Sequence, residues 1–134
     1  MGMSEYKRIE KCIAGYIARN YKRAAEIGIG ENPDAALLIR QAGVAVFCTD
    51  VKPVPRVPGL TICRDDVFSP DFPLYRGCDL VYAIRPAEEM IPAMISLARE
   101  IGCDLLVYHL GFECYGTGGE RIDCGVVLHK YHSV

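Results

Sequence analysis

The chain has 134 residues, 51% hydrophobic, 24% charged and 9% aromatic, which describes one globular domain over 1–134 and excludes a disordered or fibrous chain. Fifteen basic and seventeen acidic residues leave a net charge of −2, so no global field draws the protein to nucleic acid. No uncharged apolar run approaches the ~20 residues of a membrane helix, and the charged N-terminus carries no signal segment, so the expected location is the cytoplasm with no membrane partner.

Reading from the N-terminus, Ser4 is placed to cap a helix over about 4–20, with Tyr6, Ile9, Ile13, Tyr16 and Ile17 as its apolar stripe. Residues 1–23 carry Lys7, Arg8, Lys11, Arg19, Lys22 and Arg23 against Glu5 and Glu10. Such a run is either the solvated face of a helix or a phosphate-facing patch. The core, about 22–134, opens with the buried run Ala24–Ile27 and the turn Gly28-Ile29-Gly30. Asn32 then reads as an N-cap, Pro33 as the first helical residue and Gly43 as the stop. Val44–Thr49 is an uninterrupted apolar strand ending at Asp50.

Pro53, Pro55 and Pro58 make 51–59 a stiff loop. Strands follow at Leu60–Cys63 and Cys78–Ile84. A helix places Met90, Met94, Leu97, Ala98 and Ile101 on one face, with Pro92 demanding a kink or a short preceding turn. Cys103–Leu110 and Gly125–Tyr131 are the last strands, separated by a glycine-rich loop. Apolar strands alternating with helices predict an α/β fold, a doubly wound, mostly parallel sheet with helices on both faces. Ligands of such sheets bind beyond the carboxyl ends of the strands, here Glu26–Glu31, Asp50–Pro53, Arg64–Val67 and Ile84–Pro86.

The seven cysteines contain no Cys-x-x-Cys pair and mostly sit in apolar runs, as free thiols do in a reducing compartment. His129 and His132, near Cys124, are the best metal candidates. Three residues apart in a strand, they point to opposite faces, so no metal is expected.

Gly28 and Gly30 together describe any tight strand–helix turn. Asp50, at the next strand end, adds a carboxylate able to accept both hydroxyls of a ribose. Glu26 is ill placed for a pyrophosphate but suits a ligand with an amino or sulfonium cation. Asp66 can take an adenine amino group beside the apolar wall of Val67. As a set, Glu26-Ile-Gly28-Ile-Gly30, Asp50 and Asp66-Val67 resemble the cofactor site of class I S-adenosylmethionine-dependent methyltransferases.

The phrases Thr49-Asp50-Val51-Lys52-Pro53, Arg64–Pro70, Leu74-Tyr75-Arg76-Gly77 and Tyr82–Pro86 further resemble a small, mainly archaeal uncharacterised protein family. The resemblance covers about residues 22–110 and implies a shortened methyltransferase-like Rossmann fold with S-adenosylmethionine as the small-molecule cofactor. Asn32 stands where class I enzymes usually have a third glycine. Ile84-Arg85-Pro86 stands where many amino-group methyltransferases carry Asp or Asn before Pro-Pro-Tyr. Arg85 stays cationic and cannot be a base, but it can clamp a substrate carboxylate or phosphate.

Asp65, Tyr82 and His109 are the residues available for a basic step. Three readings compete. One is an S-adenosylmethionine-binding, methyltransferase-like protein of unknown substrate. The second is a non-catalytic nucleotide-binding or assembly subunit acting through a homodimer or protein partner. The third, an NAD-dependent oxidoreductase, is weakened by Glu26 and Pro33. A role on RNA requires the basic N-terminal helix to lie beside the cleft.

Overall fold

The computed structural model describes residues 7–134. Ser4 and Tyr6 therefore lie outside the described residues. The first helix, α1, runs Arg8–Asn20 and buries Ile13, Ala14 and Ile17 on the stripe its apolar spacing predicts. It is followed by β1 (Arg23–Ile27), α2 (Asp34–Gln41), β2 (Ala45–Asp50) and β3 (Thr61–Arg64). A short helix, α3 (Phe72–Tyr75), leads to β4 (Leu80–Ile84), α4 (Ile91–Ile101) and β5 (Asp104–Tyr108). The chain closes with β6 (Glu120–Asp123) and β7 (Val127–His132).

Among the described residues the strands form one seven-stranded sheet in the order β3-β2-β1-β4-β5-β7-β6. The first five are parallel, and β7 and β6 add an antiparallel hairpin at one edge. Strand order reverses between β1 and β4, the place where doubly wound sheets open a ligand crevice. Alternate residues of each central strand feed opposite cores. Ala25 and Ile27 of β1 pack with Val81, Met94 and Leu97 beneath α3 and α4. Ala24 of β1 packs with Ile13, Ile17, Ile39 and Tyr82 beneath α1 and α2. Both faces are thus covered, which is why the strands read as apolar runs without alternation. Truncating a side chain as enclosed as Leu97 to alanine would cost about 2–5 kcal/mol.

Several boundaries differ from the sequence expectation for identifiable reasons. Pro33 precedes α2 as its cap instead of opening it, and Leu37 N–H bonds its carbonyl at 2.9 Å. Asn32 still accepts the Asp34 N–H at 3.1 Å, so it does the capping from one residue earlier. Pro92 is accommodated as expected of a short preceding turn: a 3-10 turn at Glu88–Met90 comes first, and the proline falls in the first turn of α4. β6 has no counterpart in the sequence reading, because Glu120-Arg121-Ile122-Asp123 has one apolar residue and follows four glycines. Its pairing comes wholly from β7, beside which it runs as a sheet edge. No helix among the described residues is long and apolar enough to cross a membrane.

Candidate functional site

A cavity of about 530 Å³ opens at the carboxyl ends of β1, β2, β3 and β4, at the reversal of strand order. Its walls bring together Gly28, Gly30, Asp50, Asp66, Val67 and Arg85, six of the seven residues singled out in the sequence.

The floor is the turn after β1. Gly28 and Gly30 have φ of 72° and 56°, a region that side chains rarely adopt. A Cβ on Gly30 would meet nothing within 4 Å, and one on Gly28 only the Met90 methyl at 4.0 Å. The glycines are therefore demanded by the backbone, and the space over them is open. The turn is tied to β2 by its own amides. Gly28 and Ile29 both donate to the Thr49 carbonyl, at 2.8 and 3.2 Å. Gly30 donates to Asp50 Oδ2 at 2.9 Å, and Lys52 N–H to Asp50 Oδ1 at 3.0 Å. Each carboxylate oxygen of Asp50 keeps a further lone pair for a ligand.

The far wall comes from the loop after β3. Asp66 Oδ1 accepts the Phe68 N–H at 2.9 Å, a local turn that leaves the rest of the carboxylate exposed. Val67 is buried against the core, whereas Phe68 is 61% exposed and lines the cavity. Phe68, Met90, Thr49 and Lys52 were not picked out from the sequence. Phe68 was the legible one, a bulky aromatic in a polar loop directly after Asp66-Val67. Asp65 also lines the cavity, but Asp71 N–H and the Tyr75 hydroxyl already occupy its two oxygens.

Glu26 is the residue not brought to the cavity. With Ala24 it points to the opposite face of β1 from Ile27, toward α1, because strand side chains alternate. It is 2% exposed and accepts the Tyr82 hydroxyl at 2.8 Å. Burial, reinforced by the nearby Glu10 charge and opposed by the Tyr82 bond, pushes its carboxyl up to about 7. Burial likewise holds the Tyr82 phenol far above its ordinary range, so Tyr82 stays protonated. Glu10 of α1 is 4% exposed; its Oε2 accepts from Asn32 at 3.0 Å while Oε1 has no partner among the described residues. Glu10 reaches the glycine turn through Asn32, whose N–H bonds the Ile29 carbonyl at 3.3 Å.

Arg85 follows β4 with φ of 54°, the one non-glycine residue among those described in the left-handed region. Its N–H bonds the Tyr108 carbonyl at 2.6 Å, and its guanidinium lies 5.3 Å from the Tyr108 ring centroid. A bulky residue held in this conformation costs of order 1–2 kcal/mol and persists only where the surroundings hold it. Here β5 and Pro86 do so, and the charge is kept at the cavity rim.

No residue of α1 lines the cavity, so the basic stretch of the N-terminal helix does not border it among the described residues. Lys7 and Lys11 instead flank a shallow groove against Asp34 and Gln41 of α2. His129 and His132 bind different carbonyls, those of Gly118 and Cys103, through Nδ1. All seven cysteines are free thiols.

An open α/β sheet with this strand order, and a cavity at its reversal point, is a methyltransferase-like Rossmann fold. The structure of the sugar N-methyltransferase KedS8 from Streptoalloteichus superposes with a TM-score of 0.60 at 14% identity, over 87% of this chain and 56% of that one. DesVI from Streptomyces venezuelae gives 0.60 at 15% identity, over 88% and 56%. The N-terminal domain of EvdMO1, a structure with SAH bound, gives 0.50 at 18%, over 78% and 52%. The chain thus spans a little over half the length of each of these three solved structures.

By sequence the chain belongs to the Uncharacterised protein family (UPF0146), which its residues 9–121 match. That span extends beyond the 22–110 over which the resemblance was legible. A UPF0146 protein of Archaeoglobus fulgidus is 38% identical over 71% of this chain and 74% of its own length. One from Pyrococcus horikoshii is 29% identical over 91% and 92%. Both sources are archaeal, as the resemblance implied.

Proposed function

We propose that this protein binds S-adenosylmethionine in the cavity over the Gly28–Gly30 turn and transfers its methyl group to a small acceptor. The observation that carries the reading is the hydrogen bonding of the turn. A nucleotide site at such a turn relies on free backbone N–H groups to cradle phosphate. Here the Gly28, Ile29 and Gly30 amides are already spent on Thr49 and Asp50. Asp50, Asp65 and Asp66 line the same cavity, against Lys52 and Arg85. An acid-rich pocket without free amides disfavours a pyrophosphate and favours an adenosyl ligand whose other end is cationic. The volume, about 530 Å³, suits a ligand of that size.

The residues present fit this ligand. The open backbone at Gly28 and Gly30 allows close approach, and Asp50 accepts the ribose hydroxyls. Asp66 takes the adenine amino group, with Val67 and Phe68 as the apolar wall. Glu10 braces the turn from behind, through Asn32, and Glu26 lies behind β1 beside it, bonded to Tyr82. Bound S-adenosylmethionine supplies a methyl group activated by its sulfonium sulfur. Direct displacement needs mainly alignment and exclusion of water. Arg85, held at the rim against Tyr108, sets a fixed positive charge on the side from which the acceptor approaches.

Calorimetric titration with S-adenosylmethionine, S-adenosylhomocysteine, NAD and ATP tests the reading. Micromolar binding confined to the two sulfur compounds is expected. Binding of NAD or ATP in preference, or of none, overturns it.

A further inference from the structure

A second cavity, of about 400 Å³, lies under the loop between β5 and β6, with Tyr108, His109, Phe112, Arg121, Val127 and His129 among its walls. Tyr108 is also the ring against which Arg85 rests, so the Arg85–Tyr108 pair separates this cavity from the first.

The hydrogen bonds fix the chemistry of its polar wall. His129 is 8% exposed and bonds the Gly118 carbonyl at 2.8 Å through Nδ1. A carbonyl only accepts, so Nδ1 carries the proton and Nε2 is left without a protein partner among the described residues. The Tyr131 hydroxyl accepts the Tyr115 N–H at 2.8 Å and lies 2.6 Å from His109 Nε2. Desolvation, with the His129 charge second, lowers the His109 pKa against the weaker pull of Glu113 and Glu88, so its ring is neutral. With the proton on Nδ1, Nε2 accepts from the Tyr131 hydroxyl and His109 presents its Nδ1–H as a donor with no protein partner among the described residues. The two imidazoles meet edge to face with centroids 4.9 Å apart.

Arg121 stands directly across from His129 in the β6–β7 ladder. The one ion pair among the described residues joins Lys130 and Asp104, so the exposed Arg121 has no carboxylate partner. The loop is built to keep it there. A Cβ on Gly118 would stand 2.9 Å from Arg121 Nη2 and 3.2 Å from the His129 ring, and one on Gly119 would strike the Lys130 carbonyl. Only glycine lets guanidinium and imidazole lie side by side under the loop. Glu113 is the acid on the cavity wall, on the exposed part of the loop.

The geometry points to this cavity as the site of the acceptor: a small, ring-bearing molecule whose carboxylate or phosphate is held by Arg121 and His109, with the His129 ring beside them. Tyr108 and the exposed Phe112 and Val127 offer its ring an apolar surface at the open side of the cavity. The acceptor role rests on the methyl-transfer reading; the anion site itself does not.

The protein has three histidines, so imaginary crowding of the spectrum does not arise and imidazole 1H–15N NMR resolves each ring. Inorganic phosphate and benzoate are titrated separately at about pH 7.5, with no adenosyl compound present. Expected are saturable shifts of His109 and His129 at about 1 mM or below, with His132 unmoved. The stronger of the two probes tells a phosphate from an aromatic carboxylate. Arg121→Gln should weaken binding at least about tenfold, with the unshifted His132 signal reporting an intact fold. Absence of shifts with both probes, equal movement of His132, or undiminished binding by Arg121→Gln overturns the site. If the anion binds but S-adenosylmethionine does not, the site stands and the acceptor role falls.

Discussion

Replacing Glu26 with glutamine separates two roles that its position near the end of a sheet strand confounds. In the fold its carboxyl is pushed from 4.5 to about 7, chiefly by burial, with the Glu10 charge adding to the rise. The sign follows directly. Below about pH 4.5 the group is protonated in both folded and unfolded chains and contributes no penalty. As pH rises from there toward 7 the unfolded chain releases the proton and the folded one retains it, so stability falls. Above about 7 the penalty is complete, and an interval of 2.5 pH units at 1.36 kcal/mol each amounts to about 3 kcal/mol. Glutamine keeps an oxygen to accept the Tyr82 hydroxyl and never ionises.

Thermal unfolding of both proteins from pH 4.5 to 8.5 is the assay. The two should melt together at the acid end. Glu26→Gln should gain steadily up to about 3 kcal/mol near pH 8, or about 10 °C for a chain of this length. Parallel melting curves across the range, or a less stable glutamine variant at pH 8, would refute a neutral, buried Glu26. The same variant titrated with S-adenosylmethionine should bind within about threefold of the parent, since Glu26 does not line the cavity. A loss of tenfold or more, about 1.4 kcal/mol, would put the carboxylate on the ligand instead.

Asp50→Ala should weaken S-adenosylmethionine binding by ~1.5–3 kcal/mol, about 10–150-fold by calorimetry, and an unchanged affinity removes Asp50 from the site. Gly28→Val places a branched side chain at φ of 72° in open cavity space, so it should abolish binding, and a folded variant of normal affinity would relocate the pocket. Phe68→Ala, at a largely exposed position, should leave the melting temperature nearly unchanged and reduce adenosyl binding about tenfold. Tyr131→Phe removes the hydroxyl joining Tyr115 to His109 and should lower stability by about 1–3 kcal/mol in denaturant unfolding; no change would deny that link a structural role.

The central architecture was legible because its signals are local. Val44–Thr49 and Cys78–Ile84 are apolar without alternation, and only a strand covered on both faces needs that. Gly28 and Gly30 were legible because two φ values near +60° admit little else. β6 was hidden for the opposite reason: as an edge strand its pairing is supplied by β7, and Glu120-Arg121-Ile122-Asp123 need not be apolar. The four residues of α3 carry Pro73 at their start and lie below the length at which periodicity is readable.

The site divides along the same line. Asp50, Asp66 and Arg85 could be placed from sequence because strand ends of a parallel sheet share one edge, whatever each side chain does there. Glu26 lies at such an end too, but one residue inside it, and in a strand one residue is the difference between faces. Ile27 takes the cavity side and Glu26 the side of α1, where it is buried with Tyr82 and near Glu10. The acid before the glycine turn therefore lies behind β1, bonded to Tyr82 and away from the cavity. Its buried proton is the measurable sign of that arrangement, and a contact with a cationic ligand group would require the ionised form instead.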